Sequence, residues 1–251
     1  MRDMSTKIVI SGSKGRMGQT ILECAKGDRQ IEVVGMLDIG DFIEEAVKAG
    51  AVVIDFSSHS FTPTLAGHAV RKKCPLVIGT TGFTDTERNE IQKASQSIPI
   101  MLSPNMSVGV NVLFAMTQRA ASVLKEGFDV EIIEKHHRLK VDSPSGTAAK
   151  LAELIAQSKG GSLSKLARHG RSGDAGKRTD DEIGIHAVRG GDFVGEHTVL
   201  FAGEGETIEL VHTANSRTIF ARGALRAAQW IAGAKPGFYD MMDVLGLAPS
   251  A

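Results

Sequence analysis

The segment Glu131–Ala148, EIIEKHHRLKVDSPSGTA, crowds titratable and cationic groups together. His136, His137, Arg138 and Lys140 fall within five positions. An imidazole exchanges a proton near neutral pH, and neighbouring cations tend to keep it neutral until a proton is needed. Immediately downstream, Pro144-Ser145-Gly146-Thr147 opens a helical pattern, AAKLAELIA. Amides and hydroxyls at a helix start make a cradle for an anion, and the helix dipole favours the same charge. The combination suits a reaction in which Ser145, Gly146 and Thr147 hold a carboxylate, its charge partly met by Lys140, while a histidine moves a proton. Read more plainly, the same residues form a basic surface loop leading into a capped helix.

A second constellation lies near the start of the chain. Gly12, Gly15 and Gly18 in GSKGRMG follow an apolar run and open another helical pattern. A turn this tight calls for Gly, and it aims helix N-terminal amides at a pyrophosphate. The spacing is G-x-x-G-x-x-G, not the commoner G-x-G-x-x-G, and alone it is a weak signal. Its context strengthens it. The run Gly12, Ser13, Lys14, Gly15, Arg16, Met17 sits at the first strand-to-helix junction, where Arg16 can reach phosphate oxygens. Asp38 ends the next strand about 20 residues on, where a carboxylate accepts bonds from ribose hydroxyls. That carboxylate repels a 2′-phosphate, and neither Ile39 nor Gly40 supplies a guanidinium to hold one. The expected cofactor is NADH, with NADPH admitted as a second choice because Lys14 or Arg16 softens the repulsion. The loops Gly79-Thr80-Thr81-Gly82 and Ser103-Pro104-Asn105-Met106 end later strands on the same side, where a nicotinamide ribose and carboxamide would lie.

The elements that position these residues follow from periodicity. Strands are expected at Lys7–Ser11, Ile31–Leu37, Ala51–Phe56, Pro75–Gly79 and Ile98–Leu102. Between them lie helices at Arg16–Lys26, Pro63–Lys73 and Thr84 to about Ser95, and a short amphipathic piece at Asp41–Lys48. After Ser107 the grammar changes. A helix at about Val110–Lys125, a strand at Phe128–Glu134 and a helix at about Thr147–Gln157 precede strands at Ile183–Val188, Glu196–Phe201 and Thr207–His212. The expected fold is α/β: an N-terminal Rossmann-type doubly wound parallel sheet, and a second α+β domain built on a mixed sheet. A last helix, Ile219–Ala232, returns to the first domain. The boundaries are 1–107 with 218–251 for dinucleotide binding, and 108–217 for substrate binding and oligomerisation. The stretch Gly160–Asp181, with Arg168, Arg171 and Arg178, is expected to be a mobile loop that takes part in domain closure.

Composition excludes several classes. Lys+Arg and Asp+Glu balance at 29 each, so no field draws the chain to nucleic acid, and no basic recognition helix is evident. No apolar run approaches the ~18 residues that span a bilayer, and Met1–Lys7 has no signal-peptide character. Cys24 and Cys74 have no metal spacing and read as free thiols in a reducing compartment, so the expected location is the cytoplasm. No metal site is expected.

The run E-I-I-E-x-H-H-x-x-K-x-D-x-P-S-G-T-A resembles the signature of dihydrodipicolinate (4-hydroxy-tetrahydrodipicolinate) reductases. GSKGRMG, IDFS, VIGTTGF, SPNMSVGVN, RGGDFVGEHTVLF and FARGALRAAQWIAG extend the resemblance over nearly the whole chain. It implies a Rossmann-type cofactor domain, a second domain that binds substrate, and a homotetramer formed through the second sheet. It also implies NAD(P)H-dependent reduction of a cyclic imine dicarboxylate to tetrahydrodipicolinate, with loss of water, in lysine and diaminopimelate biosynthesis. By the same resemblance His136 is the principal acid/base residue and Lys140 the second proton donor. His137, Gly146 and Thr147 contact substrate carboxylates, while Gly12–Met17, Asp38, Gly79–Thr81 and Ser103–Met106 contact the cofactor. The chain departs from the pattern in a shorter stretch between Asp38 and Ala51, and in Ile39, where members using both cofactors carry Arg.

Two other readings compete. An aldehyde dehydrogenase needs a nucleophilic Cys, and neither thiol lies in a suitable loop. A non-catalytic NADH-sensing module would keep GSKGRMG but has no use for the His-His-Lys segment.

Overall fold

The computed structural model describes residues 5–247. In chain order the first elements are β1 (Thr6–Ser11), α1 (Arg16–Lys26), β2 (Ile31–Leu37), α2 (Ile43–Ala46), β3 (Val52–Asp55), α3 (Thr62–Lys72), β4 (Leu76–Ile78), α4 (Asp85–Ala94) and β5 (Pro99–Leu102). Then come α5 (Val108–Val123), β6 (Phe128–His136), α6 (Gly146–Ser158), α7 (Leu163–Leu166), β7 (Ala167–His169), β8 (Ile183–Arg189), β9 (Gly195–Gly203) and β10 (Thr207–Ala214). The last are α8 (Thr218–Ile231), β11 (Gly237–Tyr239) and α9 (Met241–Leu245). Two compact units result, one taking residues up to Val108 and from Arg217 on, the other Gly109–Ser216. Residues 1–4 and 248–251, assigned above to the first domain, lie outside the described residues.

The first unit is a six-stranded parallel sheet in the order β11-β5-β4-β3-β1-β2. Its short strands are apolar on both faces because helices cover both. Ile8, Ile10, Ile54 and Val77 pack with Ala221, Ala224, Leu225 and Ile231 of α8. On the other face Val9, Val53, Leu76 and Ile78 pack with Leu65 and Ala69 of α3 and Ile91 of α4. Burying each Val, Leu and Ile among these contributes ~1.5–3 kcal/mol. Local signals set the helix ends. Thr84 Oγ1 accepts the Glu87 amide and Glu87 Oε2 accepts the Thr84 amide, the reciprocal cap expected from their spacing. From β1 the chain winds outward to β2, then crosses to β3 on the other side of β1. This reversal of strand order opens a crevice beyond the carboxyl ends of β1 and β3, where α/β sheets bind ligands.

The second unit is a five-stranded mixed sheet in the order β10-β9-β6-β8-β7. β6 is central, antiparallel to β9 and parallel to β8. Only β9 and β10 form a hairpin. β8 and β9 follow each other in sequence but lie on opposite sides of β6, so turn signals alone do not give their pairing. One face is buried beneath α6 and α5, with Val130, Ile132, Val199 and Phe201 against Leu151, Ile155, Leu113 and Phe114. Sequence periodicity missed four pieces. α7 and β7 occupy part of Gly160–Asp181; β7 is a half-exposed edge strand of three residues with no apolar alternation to announce it. β11 and α9 follow α8, and the capping box Asp240/Asp243 was the available signal for α9.

Candidate active site

At the carboxyl end of β1 the chain turns back on itself at Gly12 (φ +76°), whose amide donates to Leu37 O at 2.9 Å. A Cβ there would lie 2.4 Å from Phe56 O, so only Gly lets the β1 turn and the end of β3 approach this closely. Asp38 anchors the turn from β2: Oδ2 accepts the Lys14 amide at 2.6 Å and Oδ1 accepts the Ile39 amide at 2.8 Å. Those two backbone donors hold its carboxyl below the ordinary range, so it stands ionised beside the Gly turn. Ser13 is buried, with its amide on Leu37 O, while Gly15 caps α1 and exposed Arg16 opens it. Met17 packs half-buried against the α8-side core.

A cavity of about 530 Å³ lies here, lined by apolar Ile39, Ile43, Phe56 and Phe61 and by polar Asp38, Ser57 and Ser58. Ser11 also lines it, and its Oγ is buried with no hydrogen-bond partner. An orphaned hydroxyl in an apolar pocket of this size suits a flat heterocycle bearing a few polar groups. These residues fit the adenosine part of a dinucleotide.

The later loops are held by their own side chains. Asp55, fully buried at the end of β3, accepts Ser57 Oγ at 2.6 Å, Thr62 Oγ1 at 2.6 Å and Thr80 Oγ1 at 3.1 Å. The Phe56 ring lies directly on Gly79, and Thr81 is exposed. Ser103 Oγ donates to Asn105 O at 2.9 Å, and Asn105 Oδ1 accepts the Ser107 amide at 2.9 Å. Pro104 is exposed, whereas the Met106 side chain is buried in the α8-side core.

In the second unit β6 runs two residues further than expected, so His136 closes the strand instead of standing in the loop. The burial alternation of β6 then places Val130, Ile132, Glu134 and His136 on the covered face. Glu134 is 0% exposed. Its Oε1 accepts Arg189 Nη2 at 2.7 Å and the Ser145 amide at 3.0 Å; its Oε2 accepts Arg189 Nη1 at 2.8 Å and is 2.5 Å from His136 Nδ1. Burial works to raise the Glu134 carboxyl, but the bonds from Arg189, His136 and Ser145 outweigh it, and the group stays ionised. Burial is also the largest influence on His136. It lowers the imidazole below its ordinary value against the pull of Glu134, with Lys140 and Arg189 adding to the lowering. His136 is therefore neutral at rest.

Around this pair, Ser145 caps α6: its Oγ accepts the Ala148 amide at 3.2 Å and lies 3.0 Å from His197 Nε2. Ser145 is buried, and both its amide and its hydroxyl are engaged within the protein, so it shapes the cradle from behind. Gly146 is exposed at the mouth of α6, with clear space around its Cα, and Thr147 follows on the first turn. The His137 amide donates to Phe193 O, while its Nδ1 is buried without a partner. Lys140 Nζ spans both oxygens of Asp142 at 2.7 and 2.8 Å. Among the described residues no group of three or more His, Cys, Asp or Glu could hold a metal ion.

The stretch Gly160–Asp181 differs from expectation. Arg168 is exposed on β7, but Arg171 and Arg178 turn inward to carboxylates of the sheet. Arg171 binds Glu131 through Nη1 at 3.1 Å and Nη2 at 2.8 Å, and also pairs with Glu182. Arg178 joins Glu131 at 3.1 Å and Asp129 at 2.6 Å, and His186 lies 2.7 Å from Glu131. Two of the three guanidiniums are thus spent pinning the loop down. Burial pushes the Glu131 carboxyl up, yet bonds from Arg171, His186 and Arg178 prevail and hold it at about 2, against an ordinary 4.5. A carboxyl depressed in the folded state contributes stability above its unfolded value and loses it as pH falls through the folded one. The urea stability of wild type over Glu131→Gln is expected to be ~2 kcal/mol near neutrality. It should shrink steadily from pH 4.5 toward pH 2. A gap that does not change with pH would show the network to be inert.

With this geometry in view, comparison with known proteins is decisive. The family model described as dihydrodipicolinate reductase, N-terminus, matches residues 6–106, and that described as dihydrodipicolinate reductase, C-terminus, matches residues 109–245. The chain belongs to the dihydrodipicolinate reductase family. It is 48% identical over 241 residues to a 4-hydroxy-tetrahydrodipicolinate reductase of Akkermansia muciniphila, covering 96% of this chain and 98% of the relative. It is 47% identical over 272 residues to one of Aquifex aeolicus, covering 97% and 100%. Among solved structures, a dipicolinate-bound dihydrodipicolinate reductase from Paenisporosarcina sp. TG-14 superposes with a TM-score of 0.76 at 26% identity, covering 96% of this chain and 99% of that one.

Family membership makes the residues that sequence reasoning passed over more informative. Glu134, Arg189 and His197 surround His136 yet were not singled out. Strand parity was the available signal for two of them: Glu134 shares a face with Ile132, and His197 with Val199, where the neighbours are apolar. Asp55, at the end of an all-buried strand, carried a similar signal.

Proposed function

We propose that this protein reduces 4-hydroxy-tetrahydrodipicolinate to tetrahydrodipicolinate with loss of water, using a nicotinamide dinucleotide. As a dihydrodipicolinate reductase family member it is an oxidoreductase of lysine and diaminopimelate biosynthesis. The unit up to Val108 and from Arg217 takes the dinucleotide; Gly109–Ser216 takes the substrate. The observation that carries this reading is the carboxylate-backed His136 close to Lys140 and the start of α6.

The dinucleotide is held at Gly12, Ser13, Lys14, Gly15, Arg16, Met17 and Asp38, with further contacts from Gly79, Thr80, Thr81 and from Ser103, Pro104, Asn105, Met106. In the last two loops the side chains of Thr80, Ser103 and Met106 are committed within the protein, so their contribution comes through the backbone. When bound, the reduced nicotinamide supplies the hydride. The chain's own residues do the rest. The orphaned Nδ1 of His137 and the first turn of α6 at Gly146 and Thr147 receive the ring's carboxylates, as suits a family in which one member has been solved with dipicolinate bound. Ser145 supports them as the cap. Lys140 exchanges Asp142 for a substrate carboxylate and serves as a second proton donor. His136 Nε2 takes the ring C–H proton while Lys140 protonates the departing hydroxyl, which leaves as water; the imidazolium then gives its proton to the reduced ring, and Lys140 regains its own from solvent.

Asp38 favours NADH, NADPH being the weaker cofactor. In an assay coupled to the preceding synthase, following loss of reduced-nicotinamide absorbance, kcat/KM for NADH should exceed that for NADPH about tenfold, which corresponds to roughly 1.4 kcal/mol. Asp38→Ser should narrow the ratio. A clear NADPH preference in the wild type overturns this part, and no turnover with either cofactor overturns the whole, favouring an NADH-sensing module.

The uncovered face of the second sheet supports homotetramer formation. Val188 is 43% and Val211 55% exposed, and Ile133, Thr198 and Leu200 are half-buried beside them. A face of that kind is covered in an oligomer. Among the described residues no helix is long and apolar enough to cross a membrane, and the free thiols Cys24 and Cys74 suit the cytoplasm.

A further inference from the structure

Glu134 accepts from three fixed donors, two on the Arg189 fork and the Ser145 amide, and its fourth partner is His136 Nδ1 at 2.5 Å. A carboxylate offers about four lone-pair positions, so all are filled. A saturated, buried, ionised carboxylate is an acceptor only, so the hydrogen between it and His136 resides on Nδ1. The Arg189 charge cancels that of Glu134 at contact distance, which limits how far Glu134 pulls the imidazole toward its cation. On the opposite side of the ring, Nε2 faces Gly195, where a Cβ would stand 3.0 Å away. His197 meets the ring edge-on at 5.2 Å and restricts its rotation.

We infer that Glu134 is a positioning residue for the proton step, locking His136 as its Nδ1–H tautomer so that Nε2 alone exchanges protons with the substrate. The inference rests on His136 handling protons as proposed above. When Nε2 gains a proton the ring becomes an imidazolium, and the adjacent carboxylate stabilises that charge without taking the proton itself. The same carboxylate fixes the Ser145 amide, so the orientation of the imidazole and the position of the α6 cap are set by one group. A carboxylate that orients a functional histidine through its other ring nitrogen is worth roughly 10–100-fold in activity.

Two measurements test it. In ¹⁵N NMR of the wild-type protein, at a pH where the ring is neutral, His136 (assigned among the eight histidines by its loss in His136→Gln) should show a pyrrole-type Nδ1 and a pyridine-type Nε2. In steady-state kinetics, Glu134→Gln, whose side-chain oxygen can still accept the Ser145 amide, should lower kcat by ~10–100-fold while KM and dinucleotide affinity stay within about twofold. A pyridine-type Nδ1 in the wild type overturns the inference, whether or not Glu134→Gln folds. So does a folded Glu134→Gln that turns over at the wild-type rate. If His136→Gln itself retains full turnover, the underlying reading of His136 has failed; if His136→Gln is inactive and either of the first two outcomes holds, only the role of Glu134 has.

Discussion

Replacing His136 with Gln should lower kcat by ~10²–10⁴-fold, the range that a positioned general acid–base group contributes, and leave dinucleotide affinity unchanged. Gln keeps the approximate size and can still donate to Glu134, so the strand end and the α6 cap are retained. What disappears is a nitrogen that can gain and lose a proton near neutral pH. The loss should fall on kcat and on kcat/KM alike, because the missing interaction belongs to the transition state. Since burial places His136 below its ordinary value, the wild-type rate should hold through neutral pH, the ring being ready to accept a proton, and fall on acidification as the resting imidazole becomes charged. Lys140→Ala is expected to differ in one respect. Lys140 is proposed to bind a substrate carboxylate as well as to donate a proton, so KM should rise while kcat falls. Stopped-flow single-turnover measurements with saturating dinucleotide separate the two variants. Activity of His136→Gln within a few-fold of wild type would remove His136 from the proton step.

How much of this was legible beforehand depended on the kind of signal. β2 and α1 are bounded as expected because β-branched runs and helical spacing are local properties of the chain. The Gly12 turn and Asp38 could be read from spacing because each directly follows a local apolar run, β1 and β2. By contrast, Arg189 and His197 reach His136 from β8 and β9, far along the chain, and only the register of the mixed sheet brings them together. Arg189 looks like a strand-end cation in sequence; pairing of β6 with β8 puts it opposite His136, within reach of Glu134. Arg171 and Arg178 failed in the opposite direction. Their Gly-rich surroundings suggested a mobile loop that takes part in domain closure, whereas Glu131, an unremarkable strand residue, pairs with both.

Arg189→Leu should destabilise the protein by about 3 kcal/mol, and restoring charge balance should recover most of that loss without restoring activity. Breaking a buried pair by removing one partner costs ~3–5 kcal/mol, because it strands the other charge out of water. Glu134 is fully buried, while the Arg189 side chain is 20% exposed, so water entering the vacated space favours the lower end. Removing Arg189 takes away two of the four donors and the largest influence holding the Glu134 carboxyl down, so in the variant that group titrates nearer to or above its ordinary value. The sign of the pH dependence follows. In the wild type the depressed carboxyl contributes stability at neutral pH and loses it as pH falls through its folded value, whereas the variant has little left to lose. The two urea stabilities should therefore converge on acidification. In Glu134→Gln/Arg189→Leu no charge is stranded, and stability should return to within ~1 kcal/mol of wild type. Turnover should remain low, since neither change restores a carboxylate to orient His136. A double variant as unstable as Arg189→Leu alone would mean that Arg189 acts by packing its stem against the sheet, and that the ion pair contributes little to the folded state.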